Sequence, residues 1–257
     1  MKHKKSLLVV IALILSIGIL LAQEAEASSA APANKIGFLQ GAIDIVVDSG
    51  ATGIVIILVV IIGLAYAVVR YIQLYVREKI DPETFFVKLK NYIKNNQIDE
   101  AITVARDFQT TTMGFIFYSG LNTYKDVVKS GKQGEEARVA VQNAFDEAVL
   151  QTVHKLDGNL FWFDTLAQIS TYLGLLGTIF GLIEAFNSLA GLTGAEQNAA
   201  LTQGIKKAIG TTALGLIGAI PLTLIKGGLF SRAQVLISSI DEYSVKVVNY
   251  INNLIKG

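Results

Sequence analysis

Cysteine is absent from the 257 residues, and histidine occurs only as His3 and His154. That excludes a disulfide framework, a cysteine nucleophile and a His/Cys metal cluster, so neither metal nor cofactor is expected. Charge is sparse and balanced, with 22 Lys and Arg against 21 Asp and Glu for a net charge of +1. No basic excess points to nucleic acid, and the charges inform only through their positions. What the chain has in quantity is apolar surface. At 52% apolar residues and mean hydropathy +0.49, it exceeds an ordinary soluble fold and reads as a membrane protein.

The N-terminus carries Lys2, Lys4 and Lys5, an apolar run from Leu7 to Ala22, and Ala25-Glu26-Ala27 ahead of Ser28. Residues 1–27 therefore read as a secretory signal peptide or as an uncleaved anchor. Either outcome places 28–51, which includes Pro32, outside the cytoplasm. Residues 52–69 are uncharged and apolar, long enough to cross about 30 Å of hydrocarbon as a helix. Arg70, Tyr71, Tyr75 and Arg77 follow as a cytoplasmic interface.

The stretch 70–160 is polar and holds about half the Lys and Arg, as a cytoplasmic region should. Asp81-Pro82-Glu83 predicts a helix start with an N-cap and a first-turn proline. Asn95-Asn96-Gln97 predicts a break, Ile98 to Phe108 a second arm of a helical hairpin, and Gly131 with Gly134 another break. From Glu135 a helical pattern runs toward the next apolar segment, which predicts one long helix entering the membrane. The remaining segments are a span at 161–186 opened by Phe161, Trp162 and Phe163, an extracytoplasmic loop at 187–207, and a span at 208–230. The loop has no Lys or Arg from Asn187 to Gln203. A cytoplasmic amphipathic helix at 231–257 ends the chain. The fold class is all-α, with three transmembrane helices after the signal-like segment and a helical cytoplasmic domain.

Projected at about 100° per residue, the second and third spans each show a stripe of small or hydroxylated residues. One contains Ala167, Thr171, Gly174, Thr178, Gly181 and Ala185; the other contains Ala208, Thr212, Gly215, Ala219, Thr223 and Lys226. Such stripes serve close helix packing, and threonines within them also serve a pore lining. Both readings stay open. Gly174, Gly177, Gly181 and Gly215 are the packing candidates, and Pro221 is expected to kink the third span. No Asp or Glu lies between Asp48 and Glu78, between Asp164 and Glu184, or between Glu196 and Asp241. The spans thus lack the midplane carboxylate that proton carriers use, and the chain either carries no ion or borrows the group from another subunit. Asp164 and Glu184 read as solvated residues at the ends of the second span.

Two segments, Leu173-Gly-Leu-Leu-Gly-Thr-Ile-Phe-Gly-Leu-Ile183 and Gly204-Ile-Lys-Lys-Ala-Ile-Gly-Thr-Thr-Ala-Leu-Gly-Leu-Ile-Gly-Ala-Ile-Pro221, resemble the MotA/TolQ/ExbB proton-channel family, most closely its ExbB/TolQ branch. The resemblance covers roughly Ser49 to Tyr243. It implies an inner-membrane subunit, not an enzyme, assembling as a homopentamer around the single-span helices of an ExbD/TolR-like partner. That partner would supply the membrane aspartate, and ion flow would drive work on a TonB/TolA-like periplasmic protein. Thr178 and Thr212 match the family's pore-facing threonines. Lys207 stands where many ExbB-like chains have a glutamate, and Thr171 where many have a proline; with the hydroxyls of Thr171 and Thr211, this leaves sodium open beside protons. A non-conducting membrane scaffold is the alternative. An intramembrane hydrolase would need a Ser/His pair or two membrane aspartates, and the spans contain neither.

Overall fold

The computed structural model describes Val46 and residues 49–256. The signal peptide or anchor at 1–27 and most of the segment at 28–51 lie outside them. Among the described residues the regular structure is helical throughout: α1 Gly50–Tyr71, a π-helical turn Ile72–Arg77, α2 Pro82–Lys94, α3 Ile98–Asp107, α4 Thr112–Lys129, α5 Gly134–Asp157, a 3₁₀ turn Gly158–Leu160, α6 Phe161–Asn187 and α7 Ala195–Lys256. Three helical stretches, Gly50–Lys94, Gly134–Asn187 and Ala195–Ile255, are long and apolar enough to cross a membrane. The all-α membrane architecture is the one expected.

The chain divides into two compact units. Among the described residues, the first joins those up to Val68 with Trp162–Gly227, and the second joins Val69–Phe161 with those from Gly228 onward. In the first, α1 lays Gly63 against Leu222, where an added Cβ would come within 2.7 Å of Leu222 Cδ2. Tyr66 meets Phe163 with ring centroids 5.1 Å apart. Ile56 is buried on this face, whereas Ile54, Leu58, Ile61 and Ile62 point outward. Outward apolar residues are what a helix in hydrocarbon requires, because lipid tails replace water as the solvent.

The second unit is a helical bundle around stacked aromatics. Phe85 of α2 stacks on Phe117 of α4 at 5.7 Å, and Phe117 meets Phe145 of α5 at 6.0 Å. The end of α7 joins it through Tyr243, whose ring lies 4.8 Å from that of Phe86. Asp81 sits at the N-cap position of α2, but its carboxylate accepts the Thr84 hydroxyl rather than a backbone N–H. Lys125 pairs with Asp99, tying α4 to α3 and holding the Asp99 carboxyl below its usual range, mainly by hydrogen bonding.

Three features of the helices refine the expected layout. The stretch after Phe108 contains a helix the sequence reading left unassigned, α4, capped by the Thr111 hydroxyl accepting the Gly114 N–H at 3.1 Å. The long helix expected from Glu135 into the membrane is present as the helical stretch Gly134–Asn187, tightened to a 3₁₀ turn at Gly158–Leu160. Asp157, Gly158 and Asn159 are weak helix formers, so the tighter turn falls there. The helix of the third span already begins at Ala195, within the segment 187–207, and is continuous with the C-terminal helix. Gly191 and Gly194 have φ of +85° and +55° and close the turn, after which α7 runs 62 residues without a break, through Pro221. Ala, Gln and Leu at 195–203 sustain the helix on one side of the span, and nothing after Phe230 stops it on the other.

Candidate functional site: the α6–α7 helix pair

The inward line of α6 is Phe163, Ala167, Ser170, Gly174, Gly177, Gly181 and Ala185, all buried. Its three- and four-residue spacing is that of helices crossing at a shallow angle. Across from it α7 presents Ala208, Thr211, Gly215 and Gly218. The backbones approach so closely that a Cβ on Gly174 would lie 3.1 Å from Gly215 Cα and from the Thr211 carbonyl. One on Gly215 would lie 2.7 Å from the Ser170 carbonyl, and one on Gly177 would lie 2.8 Å from Thr211 Cβ. The Ser170 hydroxyl donates to the Gly215 carbonyl at 3.0 Å and is fully buried.

Thr178 and Thr212 come together on the edge of this contact. Their hydroxyls hydrogen-bond each other. Thr178 Oγ1 also lies 3.1 Å from the Ala208 carbonyl and 3.2 Å from the Gly174 carbonyl, which Thr212 Oγ1 shares at 3.2 Å. Both residues are half-buried. The other two threonines stand apart from this cluster. Thr211 is buried, bonds the Ala208 carbonyl of its own helix at 2.7 Å and fills the space over Gly177. Thr171 bonds the Ala167 carbonyl one turn back at 3.1 Å. Pro221 lies within α7, half-buried.

The acidic residues at the two ends of α6, expected to be merely solvated, are paired with lysines of α7. Lys226 Nζ lies 2.8 Å from Asp164 Oδ2, and Lys207 Nζ lies 2.5 Å from Glu184 Oε2. From Asp164 to Glu184 the helix rises about 30 Å, close to the hydrocarbon thickness. Between the ion pairs neither helix carries a charged side chain. By helical rise Thr178 lies about 9 Å from the Glu184 end and about 21 Å from the Asp164 end. Such a segment offers hydroxyls and helix carbonyls to water or to a visiting carboxylate, but no carboxylate, imidazole or amine of its own.

Sequence reasoning missed Ser170 and both ion pairs. Ser170 was legible as i−4 to Gly174. The pairs were legible as opposite charges at matching depths on helices joined by a short turn.

Residues 108–242, slightly more than half the chain, match the MotA/TolQ/ExbB proton channel family. The chain belongs to that family. The matched region contains the whole α6–α7 contact and its hydroxyl pair. Among the family's curated members, this chain is 24% identical to the Tol-Pal system protein TolQ of Haemophilus influenzae over 196 residues, covering 74% of this chain and 83% of that protein. It is 35% identical to the biopolymer transport protein exbB1 of Vibrio cholerae over 107 residues, covering 40% of this chain and 44% of that one. It is 29% identical to TolQ of Pseudomonas aeruginosa over 123 residues, covering 48% of this chain and 53% of that one. The relatives' names are those of Tol-Pal and biopolymer-transport proteins. The chain is accordingly a membrane protein of the ExbB/TolQ branch of a proton-channel family.

Proposed function

We propose that this chain is the ExbB/TolQ-like inner-membrane subunit of an ion-driven motor. It assembles as a homo-oligomeric ring, a homopentamer by family resemblance, around an ExbD/TolR-like single-span partner, and couples ion flow to work on a TonB/TolA-like protein of the envelope. The observation that carries this reading is the α6–α7 segment itself: about 30 Å without a charged side chain, bracketed by ion pairs, with the Thr178 and Thr212 hydroxyls bonded to each other inside it. A segment of that kind can solvate a proton-carrying carboxylate brought by a partner and cannot replace it. Thr178 and Thr212 are the pore-facing residues in this reading, with Thr171 as a further hydroxyl along the same passage. The N-terminus of the mature chain and the turn between α6 and α7 face the periplasm, while 70–160 and the C-terminus face the cytoplasm.

Lys207, where many ExbB-like chains have a glutamate, is matched by Glu184 on the neighbouring helix. The pair is neutral, so it neither supplies a free acid nor leaves a bare cation, and protons and sodium both remain compatible with it. A second reading, a non-conducting scaffold, is favoured by the glycine contacts, which by themselves account for the small-residue stripes as packing. Proteoliposomes separate the two. The purified chain alone should pass little proton or sodium current, and co-reconstitution with the aspartate-bearing partner should restore it. Selective flux from the chain alone overturns the division of labour, and absence of flux with the partner favours the scaffold.

A further inference from the structure

The second unit holds a cleft that the conduction reading does not use. Its volume is about 420 Å³, within the range of about 300–1,000 Å³ common to ligand sites. Arg70, Arg77, Glu78, Thr112, Lys155 and Asn159 are among its walls, so three cationic side chains face one carboxylate. That carboxylate is already committed. Glu78 accepts the Thr112 N–H at 3.0 Å and the Thr112 hydroxyl at 2.7 Å, at the N-terminus of α4, where the helix dipole favours an anion. Arg70 forms the floor. It is only 3% exposed, and its guanidinium is oriented by the Leu156 carbonyl at 2.7 Å and Gln73 Oε1 at 2.6 Å. Arg77 and Lys155 are exposed at the mouth.

The position of these residues along the chain says what they face. Arg70 directly follows the charge-free run 52–69, and Lys155 and Asn159 directly precede Phe161 and Trp162, both more than half exposed, which open the next apolar helix. Both walls therefore stand where hydrocarbon gives way to the headgroup layer. We propose that this cleft binds a phosphate oxyanion, the phosphodiester of an anionic phospholipid headgroup, with Arg70 fixed beneath it and Arg77 and Lys155 closing over it. Basic pockets at this depth are the kind that hold charged headgroups, whereas a zwitterionic lipid would gain little from the excess of cations.

The test uses the full chain in neutral detergent, titrated with phosphatidylglycerol, with phosphatidylcholine of the same acyl chains, and with glycerol phosphate, and read by native mass spectrometry. The wild type should prefer phosphatidylglycerol. Arg77→Gln with Lys155→Gln should weaken that binding about thirtyfold, and each single variant about fivefold. Lys90→Gln with Lys94→Gln, whose ammonium groups lie over the Tyr250 ring, should leave it unchanged. Arg70 is left in place because its burial makes it part of the fold. Competition by glycerol phosphate at equal concentration, lost in the double variant, would reassign the site to a soluble phosphate and overturn the lipid source. Equal affinity in wild type and double variant, or no preference over phosphatidylcholine, would overturn the site itself.

Discussion

Replacing Thr178 and Thr212 by valine separates polarity from packing at the edge of the α6–α7 contact. Valine keeps the branched shape and removes only the hydroxyl. The carbonyls of Gly174 and Ala208 that those hydroxyls contact lie inside helices and keep their backbone partners, so no acceptor is orphaned by the change. The loss is then that of a single interhelical hydrogen bond in a membrane, about 1 kcal/mol. That is small beside a protein's total stability, so each variant should assemble at near-normal abundance. Conduction faces a different penalty, because a water or carboxylate in a desolvated passage would lose a partner it cannot replace, at about 1–3 kcal/mol. Proton or sodium flux through the reconstituted complex, followed with an ion-sensitive dye, should fall at least about fivefold in Thr178→Val and Thr212→Val, and less in the serine variants. Leu182→Val, off the stripe, should change little. Flux within about twofold of wild type in both valine variants, with assembly intact, would refute the pore assignment and leave packing as the whole explanation.

Gly177→Val would drive a side chain into Thr211, whose Cβ would lie 2.8 Å from even a first added carbon. The expected cost is about 1–3 kcal/mol, visible as a lowered melting midpoint, and Gly227→Ala, with nothing within 4 Å, is the tolerated control. Asp164→Ala should destabilise the α6–α7 pair more than Asp164→Ala combined with Lys226→Met, because the single change leaves a lysine without the carboxylate 2.8 Å away; equal melting points would show that the bridge is solvated and idle. The native chain has no cysteine, so single cysteines report topology cleanly. Lys129→Cys should be shielded from an impermeant thiol reagent in intact cells and Asn198→Cys should react, and the reverse pattern would invert the proposed orientation.

Features set by one helix at a time were legible in the sequence. The apolar run of α1, the glycine breaks around 131 and 134, and the absence of carboxylates from the spans each follow from local composition. The helix α4 was equally local and was passed over, although Met113, Ile116, Phe117, Gly120, Leu121, Tyr124 and Val127 are spaced as one buried face. Its Thr111 cap falls in a run of three threonines that resembles a loop. The continuity of α7 escaped for the opposite reason. Gly227 and Gly228 each weaken a helix by about 1 kcal/mol relative to alanine, and a reading by propensity ends the span near them, whereas the helix runs on through both.

The site was half legible for a related reason. A stripe at helical spacing shows which residues share a face, and it placed Thr178 and Thr212 on such faces. It does not show where the neighbouring helix lies in rotation. Gly177 and Ser170 fell outside the stripe centred on Thr178, yet both are buried against α7, while Thr178 itself is half-buried at the edge of that contact. The partner helix is therefore rotated toward the glycine side. That rotation leaves the hydroxyls partly open instead of sealing them between the helices, which a pore lining requires and packing alone does not. It also aligns each acidic end of α6 with a lysine of α7. Charge pairing at the two ends, glycine contact along the middle and hydroxyls at the margin are thus consequences of one register between two helices, and a shift of a single residue on α7 would lose all three together.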